Sequence, residues 1–537
     1  MAIASEPAAS APTLFARKAT GLVRESSVWN ASAFNILNVT IAYAILYPAL
    51  FMWQFPGASL LLGGIIGVAA FIPLGLCYAL VVAAMPRAGS DYVFVSRVFH
   101  PAVGFIVAVV FMVWVTFWSG LGINLFLTLG LAPQLAVLGH PGAQTWLTAH
   151  SHIYILGIII LIALGALTAF STKQAMRVLT GLVLIGMIGT VITAIVLLVT
   201  GHSSFVSAFN RYAAPYSHES NTYQAVLAAA SKAGFNAGHS FDFKATLGLV
   251  PWAATSFLYV AGQAAIGGEI KRPARNSFMA IYITLGSMLA LVLFVFLGLD
   301  GAVGQRFVSA AGYVSANVPK SWPLPNSPNY NFLATISVSS SALRWIMSIA
   351  FAVWYLPGPI LNYIFISRYM VATSMDGVVP ERLGRVNPRT HTPLLAITIG
   401  LVLSIVSLIV LTSDGTILTI LSAVLGELVG GYLLLSLACV FFPFLRKTKQ
   451  SYRASPANIS VAGIPLITIT GALSSIILIV IGWRFWADGA YGLNTTWSKI
   501  VTFGLPALAV LIYYARRWYL ATRSEDLDLA FKEIPPA

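Results

Sequence analysis

The sequence predicts an all-α polytopic membrane protein with twelve transmembrane helices. Three observations lead there. Of the 537 residues, 58% are hydrophobic and 9% are charged, where a soluble domain carries about 25% charged residues. The apolar residues fall into twelve runs, each close to the roughly 20 residues needed to cross a bilayer. The basic residues gather in alternate short loops, as membrane topology requires. The net charge of +14 follows from that placement, so the expected surroundings are a lipid bilayer and not a nucleic acid.

The spans are expected at about 30–52, 58–84, 103–131, 152–170, 178–200, 246–266, 277–299, 342–372, 393–412, 416–443, 461–483 and 498–515. Residues 1–26 are rich in Ala, Ser and Pro and lack the apolar core of a signal peptide, which predicts a cytoplasmic tail. With that tail inside, twenty-two of the 30 Lys and Arg residues fall in inner segments and eight in outer ones. The reverse orientation inverts the ratio, so both termini are expected in the cytoplasm. The outer segments 201–245 and 300–341 are long, and the first contains a helical pattern, TYQAVLAAASKAGF. Six of the eight histidines, His140, His150, His152, His202, His218 and His239, lie in outer segments at spacings that match no metal motif, and read as surface residues. Cys77 and Cys439 both fall inside spans, so neither a disulfide framework nor a metal site is expected.

Three spans carry residues that interrupt a membrane helix. The first holds Asn30, Ser32, Asn35, Asn38 and Thr40, with Asn35 and Asn38 three apart and therefore on one face. The sixth runs into FLYVAGQAAIGGEIKRPARN, where three glycines precede an abrupt polar cluster. The eighth contains Pro357-Gly358-Pro359, and proline removes a donor and clashes with the preceding turn. A membrane helix that breaks frees backbone groups, which is tolerable only against protein or a polar cavity. Breaks at corresponding places in two halves point to a transporter site near the midplane. Ordinary kinks are the plainer reading of any one of them.

The loops after these spans carry a recognisable pattern: MPRAGSDYVFVSRVFHPAVGF at 85–105, GEIKRPARN at 268–276 and SRYMVATSMDGVVPERLGRVNPRTHTP at 367–393. Together they resemble the loops of the amino acid–polyamine–organocation superfamily of transporters, in order and from about residue 22 to 515. The resemblance implies twelve helices in a five-plus-five inverted repeat with helices 1 and 6 unwound at the substrate. On that plan 27–200 is the first repeat, 201–245 an extracellular loop, 246–445 the second repeat, 446–515 helices 11 and 12, and 516–537 a cytoplasmic tail. It also implies secondary transport by alternating access across the cell membrane. The usual Gly-(Ser/Ala)-Gly of the first helix falls here on Ile41-Ala42-Tyr43. The usual Gly-x-(Glu/Asp) of the sixth falls on Tyr259 and Ala261, or with a small shift on Gly262 and Gln263. β-Branched Ile41 and bulky Tyr43 suit close backbone approach poorly, which weakens the expectation of a carboxylate cup and with it an amino-acid substrate.

The candidate substrate-binding residues are accordingly Asn38, Thr40, Ile41, Ala42 and Tyr43 on the first helix, and Ser256, Phe257, Tyr259, Val260, Ala261, Gly262 and Gln263 on the sixth. Walls come from Trp114, Trp118 and Asn124 on the third, and from Trp354, Tyr355 and Asn362 on the eighth; Trp118 and Tyr355 lead. Glu427 is the one acidic residue deep in a span. A charged acid at the bilayer centre costs on the order of 3 kcal/mol, and such residues usually mark ion or proton paths. Its helical neighbours Ala423, Gly430 and Gly431 are small, which marks a packing face. A carboxyl that is neutral when buried and ionised when wetted can carry a coupled proton; a permanently protonated structural donor is the alternative. Glu269 and Arg87 are the candidate cytoplasmic gate. No oxygen cluster suits a sodium ion, no Walker loop is present, and neither a cofactor nor enzymatic chemistry is expected. The sequence reads as a proton-coupled carrier of a small neutral or zwitterionic solute, an amino acid foremost, with the proton co-transported. An organic amine or nucleobase carrier, or a non-transporting sensor on the same fold, are the other readings.

Overall fold

Twelve helical segments among the described residues are long and apolar enough to cross a membrane: Val28–Gln54, Leu60–Ala84, Pro101–Val137, His150–Phe170, Thr172–Val199, Phe243–Ala264, Pro273–Val303, Ser341–Met375, Leu394–Ser413, Val424–Phe441, Leu466–Ala487 and Thr496–Ala521. They are called spans 1 to 12 below, and each overlaps a run predicted from hydropathy. The computed structural model describes residues 20–238, 240–413, 424–491 and 493–535. Residues 1–19 of the expected tail, His239, and the beginning of the expected tenth run with Ala423 lie outside the described residues.

Burial sorts the spans into an inner and an outer set. In the most apolar stretch of each, 89% of span 6 and 83% of span 8 is buried, against 28% of spans 4 and 9 and 22% of span 12. The two most enclosed spans are also the least apolar of the first nine. A segment shielded by protein tolerates polar residues and irregular backbone that a lipid-facing one does not. Spans 4, 9 and 12 instead present Ile155, Ile159, Val406, Val410 and Leu511 to the outside.

Span 1 begins at Val28 because the Ser27 side chain accepts from the Asn30 N–H, a standard N-cap. Its first half ends at Val39. Thr40 then takes a left-handed conformation, φ 50 and ψ 85, and the second half runs over Ile41–Leu50. The Thr40 N–H bonds to the carbonyls of Ile36 and Leu37, and its hydroxyl to Leu37 O at 2.7 Å. Span 6 is helical over Phe243–Phe257 and then irregular, with single 3₁₀ turns at Gly262–Ala264 and Gly267–Glu269. Span 8 breaks between Ser341–Val353 and Gly358–Met375, at the Pro357 predicted to break it. Spans 3, 7 and 10 each contain a π-helical turn, at Phe126–Leu131, Leu299–Val303 and Leu428–Tyr432.

One end of the bundle gathers the described chain ends. The backbone of Ser26 pairs with the stretch at Ile270, through Ser26 N–H to Glu269 O at 2.9 Å and Lys271 N–H to Ser26 O at 3.0 Å. A short helix, Ser90–Val98, follows span 2 there. The segment Leu527–Lys532 lies over it, with the Arg97 guanidinium donating to Glu533 O and Ala530 O and stacking 4.8 Å from the Phe531 ring. The opposite end carries helices His202–Ala213, Thr222–Lys232, Gln305–Asn317 and Tyr330–Ile336 from the two long segments.

Candidate functional site

The site begins with a backbone problem. Unwinding span 6 frees the carbonyl of Tyr259 and the N–H of Gln263 from any helical ladder. Two asparagines on one face of span 1 take them up. Asn38 Nδ2 donates to Tyr259 O at 2.8 Å, and Gln263 N donates to Asn35 Oδ1 at 2.8 Å. The spacing of three that places Asn35 and Asn38 on one face therefore answers the break in span 6. Each bond replaces water that the bilayer interior cannot supply. Gly262 sits between them; a Cβ there meets the Asn38 side chain at 2.8–3.1 Å, so only glycine lets the two chains come this close.

A cavity of about 90 Å³ lies against these breaks, bounded by spans 1, 3, 6, 8 and 10. On the measure by which one water takes about 10–15 Å³, it holds several waters or one small solute. Asn38, Thr40, Tyr43, Trp118, Ser256, Tyr259, Tyr355 and Glu427 line it, as do Trp354 and Asn362. Ile41, Ala42, Phe257, Val260, Ala261, Gly262 and Gln263 do not. Ile41 and Ala42 are fully buried on the far side of their half-helix, and Phe257 packs near Phe71 of span 2. Gln263 spends its side-chain amide on Ser277 O at 3.1 Å. Of the third-span walls, Asn124 instead bonds Thr412 at 2.9 Å and Trp114 packs on Gly426.

Glu427 is 1% exposed and is placed by small residues. Gly426, Gly430 and Gly431 let span 10 close onto Trp114, Val110 and Phe111 of span 3. This points the carboxyl into the cavity, where it accepts a hydrogen bond from the Tyr259 hydroxyl. Tyr432 stands 6.1 Å from the Tyr259 ring at 83°, and Trp118 stands 6.2 Å from it at 80°. The Ser256 and Tyr355 hydroxyls, both buried, have no partner in the protein. No Lys, Arg or His is among the described residues lining the cavity.

Aromatic side chains stack on either side of the cavity along the bundle. Away from the chain ends, Tyr43 stacks on Tyr47 at 5.3 Å, Tyr43 meets Tyr355 edge-on at 5.2 Å, and Phe51 stacks on Trp252 at 4.1 Å. Toward the chain ends, Phe34 stacks on Phe365 at 5.5 Å. Beyond that layer, Arg368 of span 8 clasps Glu269 through two bonds of 2.7 and 2.8 Å. A second cavity of about 460 Å³ opens next to this pair, with Glu25, Lys173, Arg177, Arg389 and His391 on its walls.

The two proposed gate residues part company here. Glu269 pairs with Arg368 and not with Arg87, whose guanidinium reaches Pro535 O at 2.5 Å and its own neighbour Pro86 O at 3.0 Å. Beside Arg87, Arg97 holds Asp376 bidentately at 2.6 and 2.7 Å, and Tyr92 bonds the same carboxylate at 2.7 Å. Asp91 accepts from the Tyr369 hydroxyl at 2.6 Å. Burial pushes its carboxyl up to about 6, against the lowering effect of the bonds from Tyr369 and the Tyr92 N–H. These contacts tie the loop after span 2 to the Met375 end of span 8.

Sequence reasoning missed Tyr47, Phe111, Phe365 and Tyr432 as cavity walls, and Arg368 as the partner of Glu269. Tyr432 was hidden by the π-helical turn, which brings residues five apart onto one face where an α-helix brings four. Among the described residues no group of three or more His, Cys, Asp or Glu side chains comes together.

A twelve-span membrane protein with a cavity at the meeting point of broken helices is built as a membrane transporter. The family model described as amino acid permease matches residues 27–520, and the chain belongs to the amino acid permease family. That membership makes it a multi-pass membrane transporter of a small molecule. A comparison with curated proteins found no match.

Proposed function

We propose that the chain is a secondary active transporter that moves a small neutral or zwitterionic solute, an amino acid foremost, across the cell membrane by alternating access. The solute occupies the cavity between the breaks of spans 1 and 6, in contact with Asn38, Thr40, Tyr43, Ser256, Tyr259 and Tyr355. Glu427 couples the cycle to protons. The observation that carries this reading is the position of Glu427: a carboxyl inside a membrane bundle, facing the same cavity as the two breaks. Intramembrane carboxyls that face a cavity are characteristic of proton paths. The Glu269–Arg368 clasp and the Tyr43–Tyr47–Tyr355 layer act as the two closures, one opening as the other shuts. Spans 1–5 and 6–10 are the two inverted repeats, and both termini are cytoplasmic.

Counterflow in liposomes tests the proposal. Vesicles holding the purified full-length chain and an excess of one unlabelled neutral amino acid are given a trace of the labelled form outside. Transient accumulation of label, sensitive to an imposed pH gradient, is the expected result. A solute that stabilises the protein against heat but never exchanges moves the reading to a sensor.

A further inference from the structure

A second buried acid lies near the end of the bundle where the described chain ends gather. Asp91 is 2% exposed, and it accepts from the Tyr369 hydroxyl at 2.6 Å and from the Tyr92 N–H at 2.9 Å. None of the groups that act on it is a cation. Span 2 presents Tyr78, with Cys77 and Cys439 beside it; span 8 presents Tyr369 and span 10 presents Tyr432. Span 3 contributes Phe111, which does not titrate and packs 5.8 Å from Tyr369 and 5.1 Å from Tyr432. Arg97, on the same short helix as Asp91, is spent on Asp376. A buried acid without a counter-charge holds or releases one proton according to what it can reach. Tyrosines connect it to Glu427. Tyr432 interacts electrostatically with both carboxyls. Its ring stands 6.1 Å from that of Tyr259, which donates to Glu427, and 5.9 Å from that of Tyr78. Tyr78 in turn interacts with Asp91. The Tyr78 hydroxyl is buried and has no hydrogen-bond partner. Such a group is costly to leave unpaired, and phenylalanine would fill the same space. A phenol both accepts and donates, so it can hand a proton on.

We propose that Asp91 is a second proton site, and that the proton of Glu427 reaches it through the hydroxyls of Tyr432 and Tyr78. The inference rests on the proton coupling proposed above for Glu427 and gives that proton a route of its own, apart from the solute. In each passage Glu427 loses one proton and becomes a carboxylate. Tyr432 and then Tyr78 each accept one proton and donate another, so neither ends ionised. Asp91 gains one proton and becomes a carboxylic acid. Chains of acidic and hydroxyl groups inside a membrane bundle are suited to this relay. The release step is tied to span 6. Gly89, two residues before Asp91, donates its N–H to Ala265 O at 3.0 Å. Gly267 and Gly268 lie so close to Ser90 and Ala88 that a Cβ on either would clash. While the irregular stretch of span 6 is docked there, Asp91 stays covered. As the stretch moves, Asp91 meets the solution at that end and gives up its proton.

Rapid mixing of the purified full-length protein into heavy water, followed by time-resolved infrared spectroscopy, tests this with the deuteron as the probe and no solute added. The buffer is kept below about pH 6, where Asp91 holds its proton. The carboxylic C=O bands of the two acids are assigned by their loss in Asp91→Asn and Glu427→Gln, and by isotopic labelling of aspartate or glutamate if a variant does not fold. In the wild type the Asp91 band should shift first and the Glu427 band should follow. Tyr78→Phe should keep the wild-type unfolding midpoint, because the hydroxyl it removes bonds nothing. It should slow the shift of the Glu427 band at least tenfold while the Asp91 band keeps its wild-type rate. Asp91→Asn should slow the Glu427 band likewise. A Glu427 band that shifts at the wild-type rate in both variants overturns the inference, as does one that shifts before the Asp91 band in the wild type; Glu427 then exchanges through the cavity alone, and its coupling role stands. Absence of any carboxylic band from Glu427 overturns the inference and that coupling role together, while counterflow of solute decides the transporter reading separately.

Discussion

The hydroxyl of Tyr259, on the unwound stretch of span 6, donates to the carboxyl of Glu427 on span 10. The same tyrosine's backbone carbonyl accepts from Asn38 on span 1. One residue thus touches the buried acid through its side chain and the other broken helix through its backbone. Tyr259→Phe removes the first link and keeps the second. The buried Glu427 oxygen then lacks a donor, a loss of roughly 1–3 kcal/mol. Thermal unfolding should show a lower midpoint, and counterflow should show an altered pH dependence with transport retained.

Gly262→Ala attacks the second link. The new methyl group meets Asn38 at 2.8–3.1 Å, so Asn38 must move and its bond to Tyr259 O must lengthen. Overpacking of this kind costs about 1–3 kcal/mol. Reduced transport with a preserved amount of folded protein in the membrane is the expected result. Wild-type transport rates in this variant would show that the approach of spans 1 and 6 is not needed.

Arg368→Ala leaves Glu269 as a buried charge with no partner. Removing one member of a buried pair costs about 3–5 kcal/mol, so the variant should unfold at markedly lower temperature. Arg368→Lys keeps the charge but not the two-pronged bond and should fall between. Equal midpoints for all three proteins would contradict a structural role for the clasp.

Asp91 makes a prediction about pH. Its folded-state value, about 6, lies above the unfolded value of about 3.9. A raised acid binds its proton more tightly when folded, so its contribution to stability is fully present below about pH 4. It is lost as the pH rises through about 6, by up to about 3 kcal/mol. Asp91→Asn should flatten the change in unfolding midpoint between those pH values. An unchanged slope would refute the assignment.

The membrane class and the positions of the spans were legible because hydropathy is a local property and needs no knowledge of packing. The break in span 6 was legible from Gly262, and that in span 8 from Pro357. The break in span 1 has no glycine; Asn35, Asn38 and Thr40 announced it, as polar groups waiting for partners. The lining of the cavity was legible only in part. Once span 6 unwinds, helical spacing no longer says where Val260, Ala261 and Gln263 point, and they turn away. Tyr432 was masked by a π-turn in the same way. The Glu269–Arg368 pair joins residues 99 apart, and the lid of the C-terminal segment over Arg87 and Arg97 spans the whole chain. Both are products of topology, which no local pattern encodes.

The most direct test of proton coupling at Glu427 is solute flux into liposomes under an imposed pH gradient, compared between the wild type and Glu427→Gln. In the wild type, a gradient of one sign should speed net uptake and the reverse gradient slow it. In Glu427→Gln, solute exchange at equal pH should persist while the response to the gradient disappears. A variant that responds to the gradient as the wild type does would contradict the account.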